Sequence, residues 1–261
     1  MRIALRGITL AYDDQGQGIP VLLIHGFPFS RQMWRHQVGA LAPVCRVIVP
    51  DLRGFGESEG TPESVEQLAD DLHALVEALA LPPFVLGGFS MGGYVAFRYV
   101  DAHADRVRAL MLLDTRAEAD GPEARQRRFA GIDRIQREGE GGFLDDFVKL
   151  VVSPDTLENR PEIAAEVRRL MDGTKIGSLI GGLRAMAGRP DSTPVLSAVR
   201  VPTLVVVGEE DKATPVEGSC AMAAAIPGAE LIIIPGAGHV SNLERPDAFN
   251  QALLRFLKRL S

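Results

Sequence analysis

The chain has 261 residues, 46% of them hydrophobic and 24% charged, and its formal net charge is -6. This composition is close to that of an average globular protein, so it excludes a fibrous or intrinsically disordered chain and predicts one domain with an insertion. A net negative charge without a run of basic residues argues against nucleic acid and anionic membranes as partners.

The N-terminal segment, Met1 to Arg6, lacks a charged stretch that leads into an apolar one, and no window approaches the roughly 18 uninterrupted apolar residues of a membrane span. We therefore expect a cytoplasmic protein without a membrane span. The two cysteines, Cys45 and Cys220, are far apart and outside any Cys/His spacing typical of zinc. We expect both to be buried thiols, with neither a disulfide nor a bound metal.

Short apolar runs along the chain predict the strands of one sheet. The first two runs, Arg2 to Leu5 and Ile8 to Tyr12, flank Gly7 and predict an antiparallel hairpin at the sheet edge. Later runs do not alternate with polar residues, which is typical of strands buried on both faces. These runs are Val21 to Ile24, Val44 to Val49, Phe84 to Leu86, Val107 to Leu113, Thr203 to Val207 and Leu231 to Ile234. Because helical patterns separate most of them, we predict an α/β fold with a mostly parallel, eight-stranded sheet and helices on both faces.

Two helices outside the middle of the chain have clear boundaries. Ser64 followed by Gln67 is typical of a capping box, and apolar residues at helical spacing continue from there until Pro82-Pro83 ends the helix. The last helix begins near Pro246, and its apolar stripe extends to Leu257.

The alternation of strands and helices stops between Thr115 and Ala198. The segment contains no convincing strand and predicts four short helices, roughly Glu123 to Arg137, Phe143 to Val152, Pro161 to Met171 and Ile176 to Met186. We call residues 115–198 the insertion and expect them to form a helical cap over one end of a core made of residues 1–114 and 199–261. The alternative is that these helices simply pack around the sheet. Six Arg and six acidic residues between Arg116 and Glu140 predict a solvated surface without a net field.

A serine stands where a predicted strand turns directly into a helix. The segment Phe84 to Gly93 contains Gly88-x-Ser90-x-Gly92. A serine on such a turn has a strained backbone and a hydroxyl above the end of the sheet, and the glycines let strand and helix approach closely. Ser90 is therefore a candidate nucleophile. The alternative is a glycine-rich connection in which Ser90 only caps the helix.

A nucleophilic serine needs a base, and the base needs an orienting acid. His239 is the candidate base because its glycine-rich loop directly follows the last strand, at the same edge of the sheet as Ser90. The other histidines, which are better explained as surface or turn residues, are His25, His36, His73 and His103.

The acid is expected after another strand of the same sheet. Asp211 follows the strand Thr203 to Val207, with Glu209 and Glu210 as immediate competitors. Asp114, after the strand that ends at Leu113, is the other candidate. Either aspartate gives the chain order Ser, Asp, His.

Together these motifs resemble the α/β-hydrolase superfamily. The resemblance rests on His25-Gly26-Phe27-Pro28, Asp51 to Ser58, Gly88 to Gly92, Gly208 to Asp211 and Gly238-His239. Haloalkane dehalogenases and epoxide hydrolases of this fold carry aspartate where this chain has Ser90. The chain looks more like the small carboxylesterases, cofactor-free haloperoxidases or perhydrolases, enol-lactonases and carbon–carbon hydrolases.

The resemblance implies that Ser90 is the nucleophile, His239 the general base, and Asp211 the residue that orients it. It also implies that the backbone N–H groups of Phe27 and Met91 form the oxyanion hole, and that no cofactor or metal takes part. The expected reaction is hydrolysis of carboxylic esters of small, moderately apolar substrates through an acyl-enzyme. Lactone cleavage, carbon–carbon cleavage, perhydrolysis and ligand sensing with slow turnover are the alternatives, and a homo-oligomer is possible.

We expect an apolar substrate pocket without a basic cluster, as is usual for uncharged ligands. Its expected lining from the insertion is Phe143, Phe147, Leu170, Met171, Ile180, Leu183 and Met186. Its expected floor is Phe27, Phe29, Phe89, Met91 and Val240.

Overall fold

A computed structural model describes residues 1–260 of the chain. Eight strands form one sheet in the order β1-β2-β4-β3-β5-β6-β7-β8. The strands are β1 (Arg2–Leu5), β2 (Ile8–Gln15), β3 (Pro20–Ile24), β4 (Arg46–Pro50), β5 (Phe84–Phe89), β6 (Val107–Leu113), β7 (Thr203–Gly208) and β8 (Glu230–Ile234). The pairs β1–β2 and β2–β4 are antiparallel, and all the others are parallel.

The predicted sheet is confirmed, including the edge hairpin, in which Leu5 pairs with Ile8. Every residue of β3, β5 and β7 is buried, as the apolar runs predict. Two details differ from the prediction. Val44 is 59% exposed in a turn, so β4 begins only at Arg46. Strand β8 lies at the sheet edge, where one side has no neighbouring strand, and its Ile233 is 41% exposed.

Helices cover both faces of the sheet. They are α1 (Arg35–Leu41), α2 (Val65–Ala78), α3 (Met91–His103), α4 (Pro122–Glu138), α5 (Gly141–Val151), α6 (Pro154–Asn159), α7 (Pro161–Met171), α8 (Ile176–Gly188), α9 (Thr193–Leu196), α10 (Val216–Ala225), α11 (Ser241–Glu244) and α12 (Pro246–Lys258). Helix α1 packs against α12, and α2 packs against α3. None of the helices in residues 1–260 combines the length and the apolar character that a membrane span requires.

The helix boundaries follow the local signals in the sequence. The Ser64 hydroxyl accepts the N–H of Gln67 at 3.1 Å, which confirms Ser64 as the cap of α2. Helix α12 begins at Pro246 and buries Phe249 and Leu253 of its apolar stripe. These are places where local chemistry alone determines structure.

The insertion contains no strand within its 84 residues, all of which the structure describes. The four predicted helices correspond to α4, α5, α7 and α8. The short helices α6 and α9 were not predicted. Ser153 followed by Pro154 is a recognisable start signal for α6, since the Ser153 hydroxyl accepts the N–H of Thr156 at 3.2 Å.

Side chains of the insertion are hydrogen-bonded to loops that follow the parallel strands. The Ser178 hydroxyl donates to the Gly54 carbonyl, after β4, at 2.5 Å. The Thr174 hydroxyl donates to the Pro28 carbonyl, after β3, at 3.0 Å. The insertion therefore contacts the edge of the sheet at which the parallel strands end.

The two cysteines differ in exposure. Cys45 is buried, and burial raises the pKa of its thiol. Cys220 is exposed on α10, so the prediction that both thiols are buried is wrong for this residue. Helix α10 buries Ser219 and Met222, and Cys220 lies on its outer face.

The backbone of α3 touches the ends of two strands beside Ser90. A Cβ atom at Gly88 would lie 2.4 Å from the Gly92 carbonyl oxygen, and one at Gly92 would lie 2.4 Å from the Ile24 carbonyl oxygen. Real Cβ atoms do not approach backbone this closely, so β5, β3 and α3 keep their contact only with glycine at both positions.

We expect Gly92→Ala to destabilise the protein by about 2 kcal/mol or more, because its Cβ would force α3 away from β3. The measurements are the urea-unfolding free energy and Tm. Gly218→Ala is the matched control, since Gly218 is also helical and a Cβ there would meet no atom within 4 Å. The control should be neutral or stabilising by up to about 1 kcal/mol. Equal stability of the two variants would contradict the tight contact.

Candidate active site

Ser90 occupies the turn between β5 and α3 in a strained conformation, with φ +50° and ψ -114°. Its N–H donates to the Leu113 carbonyl at 3.0 Å, and its carbonyl accepts the Thr115 hydroxyl at 2.8 Å. The Ser90 side chain makes no capping hydrogen bond to α3. The alternative interpretation, in which Ser90 serves only as a helix cap, requires such a bond. The hydroxyl is therefore left for another partner.

That partner is His239, which follows β8. The Ser90 hydroxyl and His239 Nε2 are 2.8 Å apart, and His239 Nδ1 lies 2.7 Å from Asp211 Oδ2. An ionised carboxylate only accepts hydrogen bonds, so Nδ1 carries the proton and Nε2 is free to accept from the serine hydroxyl. The structure brings Ser90, His239 and Asp211 together in one chain of hydrogen bonds, and all three are buried.

Asp211 is held as an anion by its neighbours. Its Oδ1 accepts the N–H groups of Ala213 and Thr214, each at 2.8 Å, and its Oδ2 also accepts the Thr214 hydroxyl at 2.7 Å. Burial alone would raise the pKa of Asp211, but the charge of His239 and these hydrogen bonds lower it below its usual value. The carboxylate can therefore stabilise a positive charge on the imidazole.

Asp114, the alternative acid, makes different contacts. Its Oδ1 accepts the Gly208 N–H at 2.8 Å, and its Oδ2 and the Ser241 hydroxyl are 2.6 Å apart. Within residues 1–260 it forms no hydrogen bond with His239. Complete burial, together with the nearby charge of Asp211, raises the pKa of Asp114 well above its usual value. Asp114 thus connects the end of β7 to α11, in surroundings that favour its neutral form.

Two other candidates, Glu209 and His25, also have other partners. Glu209 accepts the N–H of Gly236 at 3.0 Å. His25 is buried, with Nδ1 donating to the Gly26 carbonyl and Nε2 accepting the Leu52 N–H, both at 2.9 Å. Burial lowers the pKa of His25, so it stays neutral and supports the loop that carries Phe27.

Two backbone N–H groups next to this site have no acceptor among residues 1–260. They belong to Phe27, which follows β3, and to Met91, the first residue of α3. An unpaired N–H at a helix start is a ready donor for a developing negative charge. These are the positions that the resemblance implies for an oxyanion hole.

A buried carboxylate that the sequence does not reveal holds the His239 loop. Glu244 Oε1 accepts the Gly238 N–H at 2.8 Å, and Oε2 accepts the Ser153 N–H of the insertion at 2.9 Å. The Val240 N–H also donates to the Val151 carbonyl at 3.1 Å. One glutamate therefore binds both the loop that carries His239 and the start of α6. No local pattern distinguishes it from a surface residue of α11.

A cavity of about 370 Å³ opens onto Ser90 and His239. Five of the expected apolar residues line it, namely Phe27, Phe143, Phe147, Leu183 and Met186, and Tyr94 and Leu150 join them. Other expected residues pack elsewhere and do not line it, namely Phe29, Phe89, Met91, Leu170, Met171, Ile180 and Val240. The lining is shared between core and insertion.

Charged residues also line this cavity, which we did not expect. They are Arg116, Asp120, Arg127, Arg128 and Lys212. The balanced charges at the start of the insertion predict no net field, but α4 brings two of its arginines, Arg127 and Arg128, to the cavity side. The sequence alone does not show which charged residues of this segment face the cavity. Among residues 1–260, no group of His, Cys, Asp or Glu is arranged to hold a metal ion.

A buried Ser–His–Asp arrangement at the carboxyl edge of a mostly parallel sheet is typical of hydrolases of the α/β type. The sequence profile of the alpha/beta hydrolase family matches residues 21–252 of this chain. The chain belongs to this family, and its general activity is hydrolysis.

Solved structures and a sequence relative are also similar to this chain over nearly its whole length. A thermophilic esterase from Thermogutta terrifontis, determined with malate bound, is 41% identical, with a TM-score of 0.95 over 100% of this chain and 99% of its own. The enol-lactonase from Burkholderia xenovorans LB400 is 29% identical, with a TM-score of 0.91 over 99% and 100%. A non-heme chloroperoxidase from Kitasatospora aureofaciens is 29% identical over 97% of both chains.

The raised pKa of Asp114 makes stability depend on pH. The unfolded chain ionises this carboxyl above about pH 4, whereas the raised pKa lets the folded chain keep the proton to higher pH. Wild-type stability therefore falls as pH rises towards the folded pKa, by at most about 1.4 kcal/mol per pH unit. Asp114→Asn removes this loss, so its stability relative to wild type should increase with pH.

The measurement is urea unfolding of both proteins from about pH 5 to about pH 8, the window above the unfolded pKa. Asp133→Asn, which replaces an exposed carboxyl on α4, is the control. A pH-independent difference between Asp114→Asn and wild type would show that Asp114 is ionised in the folded protein.

Proposed function

We propose that this protein is a serine hydrolase that cleaves carboxylic esters of small, moderately apolar substrates through an acyl-enzyme. One observation carries the proposal. The hydroxyl of Ser90, the imidazole of His239 and the carboxylate of Asp211 form a continuous hydrogen-bonded relay that faces a cavity. The esterase from Thermogutta terrifontis supports the ester class.

In the first half of the reaction, Ser90 Oγ attacks the ester carbonyl carbon while His239 Nε2 takes the hydroxyl proton. Asp211, already hydrogen-bonded to Nδ1, stabilises the imidazolium that forms. The carbonyl oxygen becomes an oxyanion and accepts the N–H groups of Phe27 and Met91. Each donor of this kind contributes about 3 kcal/mol to the transition state. When the intermediate collapses, the carbon–oxygen bond breaks and His239 protonates the leaving alcohol.

In the second half, water replaces the alcohol. His239 takes a proton from the water, whose oxygen attacks the acyl carbon of the Ser90 ester. Collapse of this second intermediate releases the carboxylic acid and returns the proton to Ser90 Oγ. The net reaction consumes one ester and one water and forms one acid and one alcohol.

We also propose that the insertion, residues 115–198, is a cap that selects the substrate, over a core of residues 1–114 and 199–261. The support is the origin of the cavity lining. Ser90 and His239 come from the core, whereas Phe143, Phe147 and Leu183 come from the insertion. Helices that only packed around the sheet would not line the cavity over the reacting serine.

A second candidate is lactone hydrolysis, favoured by the likeness to the enol-lactonase from Burkholderia xenovorans LB400. A lactone is a cyclic ester, so the same relay opens it and leaves acid and alcohol in one product. The likeness to a chloroperoxidase keeps perhydrolysis as a further variant, with peroxide replacing water in the second half. A panel of esters of increasing acyl length and of lactones separates these cases by kcat/KM.

We expect a fluorophosphonate to label wild-type protein and the wild type to hydrolyse p-nitrophenyl acetate and butyrate. Ser90→Ala removes the attacking oxygen, so it should lose labelling and lower turnover by about 10⁴-fold or more. Mass spectrometry of the labelled protein identifies the modified residue. Equal turnover by Ser90→Ala would rule out the acyl-enzyme. Labelled wild type that hydrolyses no activated ester would instead favour the ligand-sensing alternative.

The two aspartates near the base should respond differently to amide substitution. Asp211→Asn reverses the hydrogen bond to His239 and favours the wrong tautomer, so kcat should fall by about 10⁴-fold. Asp114→Asn keeps an acceptor for the Gly208 N–H, and its amide NH₂ can donate to the Ser241 hydroxyl, so its kcat should stay within about tenfold of wild type. Steady-state kinetics on p-nitrophenyl butyrate make the comparison. A larger loss in Asp114→Asn would identify Asp114 as the acid.

A further inference from the structure

The charges that line the active-site cavity do not cancel. Asp120 is its one acidic lining residue within residues 1–260, against Arg116, Arg127, Arg128 and Lys212. The side chain of Asp120 is 2% exposed and binds two arginines at once, Arg128 and, at 2.6 Å, Arg189. Its carboxylate is therefore already compensated before any ligand arrives.

The cluster around Asp120 is fixed in this arrangement. Burial alone would raise the pKa of Asp120, but hydrogen bonds and charge from Arg128 and Arg189 lower it. The Arg189 guanidinium also lies 4.1 Å from the centre of the Tyr94 ring and donates to the carbonyls of Met186 and Glu118. Two arginines and one aspartate leave one net positive charge in the cavity wall.

Two further cations have no counter-ion in the described part of the chain. The side chains of Arg127, on α4 of the insertion, and of Lys212, in the loop after β7, form no hydrogen bond or ion pair with any of residues 1–260. Both side chains are exposed, and they reach the cavity from the insertion and from the core respectively. Arg116 differs, since it pairs with Glu118 at 3.3 Å. Like charges that face one cavity repel each other until an anion binds between them.

The cavity also continues outward past one of these cations. A surface groove of about 320 Å³ between α4 and α5 shares Arg127, Phe143, Phe147 and Leu150 with the cavity lining. The other arginine of this groove, Arg134, is occupied by Asp146 and Glu138. A substrate end that leaves the phenylalanine-lined interior therefore passes Arg127.

We propose that the preferred substrate of this site is an ester with a carboxylate at the end remote from the scissile bond. Its apolar spacer lies against Phe143 and Phe147, and its carboxylate binds between Arg127 and Lys212. The inference rests on the proposed esterase function. It specifies the substrate further, as an ester whose apolar part ends in a carboxylate. Binding at the remote end acts equally on substrate and transition state, so the effect falls mainly on KM.

The test compares pairs of esters that differ only in charge. With charge on the acyl group, the pair is mono-p-nitrophenyl glutarate and p-nitrophenyl glutaramate, in which an amide replaces the carboxylate. With charge on the alcohol, the pair is 4-carboxyphenyl butyrate and 4-carbamoylphenyl butyrate. Rates are corrected for the uncatalysed reaction. We expect kcat/KM of the anionic ester to exceed that of its neutral partner by about tenfold in one pair, because two ion pairs contribute up to about fivefold each.

Charge-removing variants assign this preference to residues. Arg127→Gln and Lys212→Gln should each lower the anionic-to-neutral ratio by about twofold to fivefold, through KM. Arg125→Gln is the matched control, since Arg125 is exposed on the same helix but does not line the cavity. It should leave the ratio unchanged, and salt at about 0.5 M should reduce the wild-type ratio by screening.

Equal kcat/KM for charged and neutral esters in both pairs would overturn this inference and leave the esterase proposal intact. The inference would also be overturned if Arg125→Gln lowered the anionic-to-neutral ratio of kcat/KM as much as Arg127→Gln does. The preference would then come from the overall charge of the protein. If no ester is hydrolysed and no fluorophosphonate labels Ser90, both proposals fail together.

Discussion

The contact of α3 with the carboxyl ends of β3 and β5 holds Ser90 in position. Gly88 and Gly92 permit backbone to touch backbone there, and Ser90, in the turn between them, takes a positive φ. The same contact presents the N–H of Met91 beside the serine hydroxyl. The positions of the Ser90 hydroxyl and of the Met91 N–H thus follow from one packing constraint.

Two carboxyl groups, those of Asp211 and Asp114, lie at this edge of the sheet. Their surroundings favour different protonation states. Asp211 receives backbone and side-chain hydrogen bonds that favour its charged form. Asp114 is more deeply buried and faces the charge of Asp211, which favours its neutral form. One group can therefore balance the charge of an imidazolium while the other joins two loops, although both follow strands of the same sheet.

The strands, the turn at Ser90 and the relay are predictable from sequence because each depends on local pattern or on strand direction. Parallel strands end at one edge, so Ser90, Asp211 and His239 are expected to converge there without knowledge of packing. Residues whose surroundings depend on where the insertion packs are not predictable in this way. Glu244 and Arg127 look like ordinary surface residues until the insertion is placed. The exposure of Ile233 likewise depends on β8 being the last strand, which its apolar run does not reveal.

Glu244 connects the insertion to the loop that carries His239. Its two carboxylate oxygens bind the loop before His239 and the start of α6. An exchange of the insertion between relatives would therefore disturb the imidazole unless the incoming segment also offers an N–H to this carboxylate. A replacement segment without such an N–H would leave the buried Glu244 carboxylate with only its hydrogen bond to Gly238.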